Sequence, residues 1–448
     1  MPDEGRLATE VFDQVTTVAR SSGVHDVEAI VAGSSNALTR FANNTIHQNV
    51  SERTVSVSVR VAIDGKTARA STNRLDPGGI REVVEQAIAI TRLTEPDPDL
   101  LPMADRIAGE MVDRFDEDTA FVAPQDRAEA VAHAIRHVEA AGQTAAGIYS
   151  TGVTTFSLLN SRGIFSSYTE TMARFSITAI DADSSGWAKA SAYRAHDLDP
   201  EELARQASHK AFASRSPREL PPGRYTVVLE PAAVLDLAGQ MFGDFSATAI
   251  RDGRSFLKDR IGKKLFGSNI TIQDDVRHPL QTGAAFDGEG VPRKRLILVD
   301  RGVVREIAYC RQAAAAESVG PTGHGFPLPN EVGEAPMNIV FAGGDMSVDR
   351  MVESTDRGIL VTRLWYIREV DPYEKILTGM TRDGTFLVDQ GKVQHGLRNF
   401  RFNQSLIEML NNVEAMGHAV RASGEEAFDM VVPAMKIRGF NFTEVTRF

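Results

Sequence analysis

The chain has 448 residues, with 49 lysines and arginines against 60 aspartates and glutamates, for a formal charge of −11. A single core stops growing near about 250–300 residues, so two domains are expected, with about 17,000 Å² of folded surface. A composition of 42% hydrophobic and 24% charged residues excludes a disordered chain, and the acidic balance argues against a nucleic-acid partner, since the longest basic run is Arg293-Lys294-Arg295.

In chain order, the acidic opening Met1-Pro2-Asp3-Glu4-Gly5-Arg6 is followed by no apolar segment of the signal-peptide kind, and no apolar run nears the ~20 residues of a spanning helix. The expectation is a cytoplasmic protein with no membrane partner. Leu7, Val11, Phe12, Val15 and Val18 then recur at helical spacing up to Gly23. Residues 54–63 alternate valine with polar side chains and meet Asp64-Gly65, which predicts a half-buried strand and a hairpin. Asp76-Pro77 opens a helix that faces Ile80, Val83, Val84, Ala87 and Ile88 inward. Residues 94–120 lack periodicity and read as a connector, followed by a helix at 125–141 and strands at 153–159, 163–168 and 172–180. The order of helices and strands predicts an α+β fold with a sandwich-like N-terminal domain.

Three prolines within residues 214–223 mark a linker. The expected domains are 1–217 and 222–448, the second mostly antiparallel β with a few helices. Its predicted strands are 225–229, 296–299, 303–309, 358–366 and 385–388, and its predicted helices are 231–243 and 403–416. No short-period repeat is visible.

Few motifs carry chemistry by themselves. His133 and His137 are four apart and could share a zinc, but they fall on the wet side of a helix whose buried stripe is Val131, Ile135 and Val138. The one cysteine, Cys310, ends an apolar strand and reads as buried, and it excludes an intrachain disulfide. Asp287 and Glu289 stand among Gly288 and Gly290, which favours a tight bend over a carboxylate pair. In Pro321-Thr322-Gly323-His324-Gly325, glycines flank a histidine that serves either a turn or a site.

Residues 285–304, followed by Gly320-Pro321-Thr322-Gly323-His324-Gly325, resemble the C-terminal domain of the TldD/PmbA (TldE) family, known both as DNA gyrase modulators and as metallopeptidases. Residues 358–365 and 384–393 extend the likeness, and 40–48 and 57–76 are similar to the family's opening domain. The resemblance implies a peptidase family whose catalytic members carry His-Glu-x-x-x-His on a helix and a zinc-binding cysteine near the C-terminus. Here the corresponding helix, residues 230–244, has no histidine, and Ala427 stands near the cysteine position.

These departures point to the PmbA/TldE branch: no catalytic or metal residues and no cofactor in this chain, with zinc in a TldD-like catalytic partner. The partner expectation is that heterodimer or self-association, plus a peptide substrate. His324, Gly323, Arg363 and Trp365 are the candidate chamber or peptide-contact residues. The strand at 360–367 with Trp365 and Tyr366, or the tail aromatics Phe440, Phe442 and Phe448, are candidate interface residues. Two rival readings are a self-sufficient metallopeptidase using His324 or His395 with a carboxylate, and a non-enzymatic homodimeric peptide-binding protein.

Overall fold

The structure, a computed structural model, describes residues 4–446. The opening residues Met1–Asp3 and the tail residue Phe448 lie outside the described residues. The fold is α+β, with a β-rich C-terminal half.

The N-terminal half runs α1 (Glu4–Ser21), β1 (Asp26–Ala42), β2 (Thr45–Ile63), β3 (Lys66–Thr72) and α2 (Pro77–Leu93). After the short α3 (Glu117–Ala120) it repeats the pattern with α4 (Pro124–Ala140), β4 (Thr144–Asn160), β5 (Phe165–Ile180), β6 (Ser185–Ala192) and α5 (Pro200–Ala213). Each element thus recurs about 120 residues later, too long a period for the solenoid repeats sought in the sequence. The six strands form one antiparallel sheet, β3-β2-β1-β4-β5-β6, and the halves meet at the β1–β4 pair.

Strand alternation decides how this sheet is covered. Val27, Val31, Val57, Val59 and Val61 pack under α1 and α2, whereas Phe41, Tyr149, Phe175 and Ile177 pack under α4 and α5. Ala29 faces Leu159 and Thr39 faces Tyr149, so both helix pairs lie on one face, at opposite ends. The other face meets the C-terminal domain through Ile30, Leu158 and Tyr168 against Phe286. His133 is exposed beside Glu201, as the helical wheel requires.

The C-terminal half begins with β7 (Gly223–Leu229) and α6 (Pro231–Ala238), followed by a 3₁₀ turn at Gly239–Asp244 and α7 (Ala247–Arg251). Next come β8 (Ile272–Asp274), β9 (Leu296–Asp300), β10 (Val303–Val304), α8 (Arg311–Ala316), β11 (Ile339–Phe341) and α9 (Val348–Glu353). The chain ends with β12 (Arg357–Asp371), β13 (Ile376–Asp389), β14 (Lys392–Gly396), β15 (Phe400–Ser405), α10 (Leu406–Asn411), β16 (Val413–Met416), β17 (Val420–Ala422), β18 (Met430–Val432) and β19 (Met435–Val445). One sheet runs β10-β9-β8-β11-β18-β17. The other runs β12-β7-β19-β15-β13-β14, and an added β12–β13 pairing closes five of its strands into a barrel.

Several expectations need correction. The helix expected at 403–416 is only α10, because Phe400, Phe402 and Gln404 alternate inward as a strand and Ser405 caps the short helix. The strand expected at 303–309 stops at Val304. Phe440 and Phe442 are 1% exposed and stack with Phe400 and Phe402 inside the barrel, so they form core, not an interface.

Candidate functional site

Strand β7 lies parallel to β12 and delivers Glu230-Pro231 to the first turn of α6, where proline's fixed φ suits the helix start. Ala233, Val234, Leu235, Leu237 and Ala238 fill the core around it. Asp236, the one charge on the helix, is fully buried as well. Its Oδ1 accepts the backbone N–H of Glu425 at 3.0 Å and of Glu426 at 2.9 Å, while Oδ2 is buried without a partner. Burial pushes this carboxyl up to about 6, against the pull of those two donors.

The loop that supplies the donors sits directly on the helix. A Cβ at Gly239 would collide with the Ala427 methyl, and one at Gly424 would collide with the Asp236 carboxylate. Gln240 Nε2 ties the two together by donating to the Asp236 and Glu426 carbonyls, each at 3.2 Å. Helix 230–244 and the Ala427 segment, singled out separately in the sequence, therefore meet in space.

Glu426 extends this contact to β12. Its carboxylate accepts the N–H of Tyr366 at 2.7 Å and of Ile367 at 3.3 Å. Those donors exist because β12 bulges between Trp365 and Arg368, placing Tyr366 at φ 56 with its ring 52% exposed. Arg368 lies over that ring at 4.4 Å.

One bulge earlier, Arg363 grips the Asp383 carboxylate and stacks on Trp187 at 4.9 Å and Trp365 at 5.5 Å. Its Nη1 is buried and unpartnered. Asp383 also accepts Ser185 Oγ from β6, and Lys189 of the same strand reaches the Gly424 carbonyl at 2.6 Å. The seam between the domains is thus a layer of arginine, tryptophan and carboxylate. Beside it, a cleft of about 750 Å³ is lined by Asp183, Ser214, Arg382, Gly384 and Asn399 among others, within the usual range for ligand sites at domain boundaries.

Of the residues chosen from sequence, Arg363 and Trp365 come together here. Gly323 and His324 do not. His324 is 1% exposed, its Nε2 lies 3.1 Å from Asp274 Oδ1, and its Nδ1 is 3.0 Å from Thr322 Oγ1. Burial raises the Asp274 carboxyl, but the imidazole and Arg293 outweigh it and leave the group below its usual range. Gly323 packs at φ 76 against the Pro292 carbonyl. This loop is a buttress, which corrects the expectation that it lines a chamber.

Asp287 accepts N–H groups from Glu289, Val291 and Gly325 and so holds the bend expected from its glycines. Cys310 is buried and pushed up to about 12 by burial and by Glu334, which leaves it a poor nucleophile. Asp236, Asp383, Glu426 and Trp187 are site residues that sequence reasoning missed, and Tyr366 was singled out only as an interface candidate. Asp236 alone left a signal, as an isolated charge in an apolar helix. Among the described residues, no group of three or more His, Cys, Asp or Glu side chains could hold a metal ion.

Comparison with known proteins places this geometry. Residues 222–444 match the model of the PmbA/TldA metallopeptidase C-terminal domain, 103–215 that of the central domain and 27–91 that of domain 1. The last two fall on the two halves of the duplicated sheet domain. Metalloprotease PmbA of Escherichia coli O157:H7 is 26% identical over 407 residues, covering 86% of each chain. A metalloprotease of Methanothermobacter thermautotrophicus is 23% identical over 390 residues, covering 83% of each. In fold, the chain is similar to TldE from Thermococcus kodakarensis, with a TM-score of 0.86 at 18% identity over 96% of this chain and 100% of that one. A Thermotoga maritima structure gives a TM-score of 0.84 at 21% identity, over 97% and 100% of the two chains.

Proposed function

The chain belongs to the PmbA/TldA metallopeptidase family, and from that membership we propose that it is the non-catalytic, TldE/PmbA-like subunit of a metallopeptidase assembly acting on short or unfolded peptides. In this reading a TldD-like partner holds the zinc, and this chain closes the chamber and helps to hold an extended peptide.

The observation that carries the reading is the contact between α6 and the loop at 423–427. Catalytic zinc takes three protein ligands drawn from histidine, cysteine and carboxylate side chains. Here the facing positions are Asp236, Gly239 and Ala427, and one oxygen of the only carboxylate is already bound by two loop N–H groups. That donor set does not fit zinc. What the seam does offer is an open cleft lined by Arg382, whose guanidinium lies over Trp365 next to Arg363, with the strained, exposed Tyr366 following on the same strand, a combination suited to backbone carbonyls and aromatic side chains of an extended peptide.

The test uses the purified, metal-replete chain alone and mixed with a TldD-like catalytic chain, on an unfolded peptide. Hydrolysis is expected only in the mixture, with chelator sensitivity, and zinc is expected to follow the partner. Chelator-sensitive hydrolysis by this chain alone would overturn the proposal. The second reading, a homodimeric peptide-binding protein without a catalytic partner, is favoured by the open sheet edge of the N-terminal domain and is supported if no mixture cuts.

A further inference from the structure

Strand β13 is interrupted where it lines the cleft beside the seam. Its pairing with β12 slips so that Asp383 and Gly384 together stand opposite Thr362, with φ 53 at Asp383 and φ 131 at Gly384. A bulge in mid-strand, with a non-glycine residue in the left-handed region, is the kind of strain that persists where a side chain is re-aimed for a use other than pairing. Arg382, the residue just before it, lines the cleft.

The cations on this wall have no partner that satisfies them. Arg382 is 48% exposed, lies over the Trp365 ring at 5.3 Å, and comes no nearer to a carboxylate than 3.6 Å, at Asp383. That carboxylate is already held by Arg363 and Ser185. Arg398, also 48% exposed, reaches only the solvent-exposed Glu219 at 3.6 Å, a surface pair of little weight. Neither guanidinium donates a hydrogen bond to any described residue. Asn399 lies on the same wall, where the Thr381 and Thr385 hydroxyls both donate to its Oδ1 at 3.3 Å and leave its Nδ2 free.

The facing wall has the opposite sign. Asp181 is occupied by Arg215, Gln143 and the Ala182 N–H. Asp183 accepts the Ser216 N–H at 3.1 Å, and among the described residues no cation lies within ion-pair distance of it. Ser214 adds a side chain 7% exposed whose Oγ has no partner. Planar cationic donors on one side therefore face a carboxylate that repels a second negative charge, which disfavours phosphate and favours a single carboxylate carried by a neutral body.

We propose that this cleft captures the C-terminal carboxylate of a short peptide, with Arg382 and Arg398 as the clamp and the Asn399 amide as a further donor. The fork of each guanidinium presents paired N–H groups to the two carboxylate oxygens. That the carboxylate belongs to a peptide rests on the reading given above, since a free organic acid shares its chemistry. A site that needs a free C-terminus admits short and unfolded peptides and excludes the internal loops of folded proteins.

One of the chain's two tryptophans lies under Arg382, so emission from the purified full-length chain reports occupancy. Titration with trialanine as the free acid is expected to change that emission saturably, and its C-terminal amide is expected to bind at least about tenfold more weakly, having lost a charge-assisted pair. Arg382→Gln and Arg398→Gln, both at exposed positions, are expected to melt as wild type does and to lose that preference for the acid, with affinities read by calorimetry. Equal affinity of wild type for acid and amide, no binding of either, or variants that keep the preference would each overturn the proposal. Acetate binding as tightly as trialanine would overturn its peptide part, and inorganic phosphate doing so would overturn the carboxylate clamp. Hydrolysis by the catalytic mixture is read separately: a mixture that cuts while wild type shows no acid preference removes this proposal alone, and an acid preference in a chain that supports no cutting removes the subunit reading alone.

Discussion

Glu289 is 4% exposed, and burial, reinforced by the neighbouring Asp287 carboxyl, pushes it up to about 7. Its Oε2 accepts the Arg311 N–H at 2.8 Å, which only partly offsets that push. The folded state therefore holds this proton more tightly than an unfolded chain, whose glutamates titrate near about 4.3. Its contribution to stability is fully present below the unfolded value and is lost as pH rises through about 7. Asp236, raised to about 6, acts in the same direction. Glu289→Gln keeps an acceptor for Arg311 and cannot ionise, so urea unfolding at pH 8 should show it more stable than wild type by up to roughly 3 kcal/mol. At pH 4, below the unfolded value, the two should nearly coincide. A variant as pH-sensitive as wild type between pH 4 and 8 would sink this account of Glu289.

At the scale of elements, the bulge in β12 is the feature whose cost and use are most easily separated. A tyrosine at φ 56 is a strained conformation, costing of order 1–3 kcal/mol. Tyr366→Gly removes that strain and gives up only a half-exposed ring with its Arg368 contact, so stability should rise by about 1 kcal/mol. If the ring contacts peptide, the same variant should raise the KM of the catalytic mixture while its melting temperature increases. A fall in both stability and KM would contradict the assignment. None of this bulge is visible in the sequence, where 358–366 reads as a plain strand, because the N–H groups it frees are satisfied by Glu426 from a loop sixty residues on. Regular alternation and helical stripes were legible, as in β2 from residue 54, α1 and α2, because local pattern and tertiary burial agree there. Strand β1 was not, since Ala32-Gly33-Ser34-Ser35-Asn36-Ala37 offers no alternation and is held by neighbours on both sides. The glycines around Asp287 announced a bend that the structure contains. By contrast, the glycines around His324 announce only close packing, and the Asp274 partner that buries its ring lies fifty residues upstream.

For the whole molecule, the seam between domains concentrates on one side chain. The chain has two tryptophans, Trp187 on β6 of the first domain and Trp365 on β12 of the second, and Arg363 stacks on both. It also neutralises Asp383, which is 6% exposed and bonded across the seam to Ser185. A second cluster lies nearby, where Ser191 of β6 donates to Asp429 at 2.8 Å and Arg421 Nη2 lies 3.0 Å from the same carboxylate. Removing one partner of a buried ion pair costs about 3–5 kcal/mol where the other charge is left uncompensated, and without Arg363 only the half-exposed Arg382, 3.6 Å away, remains to Asp383. Arg363→Ala should therefore loosen the domains and not merely weaken one of them. Tryptophan emission should shift to the red without denaturant, and the urea midpoint read by fluorescence should fall below the midpoint read by circular dichroism, since the seam opens before the sheets melt. Arg363→Lys keeps the charge but loses the planar stack on both rings, and should fall between Arg363→Ala and wild type. Coincident midpoints with unshifted emission in Arg363→Ala would show that the docked sheet face around Phe286 holds the two domains together without it.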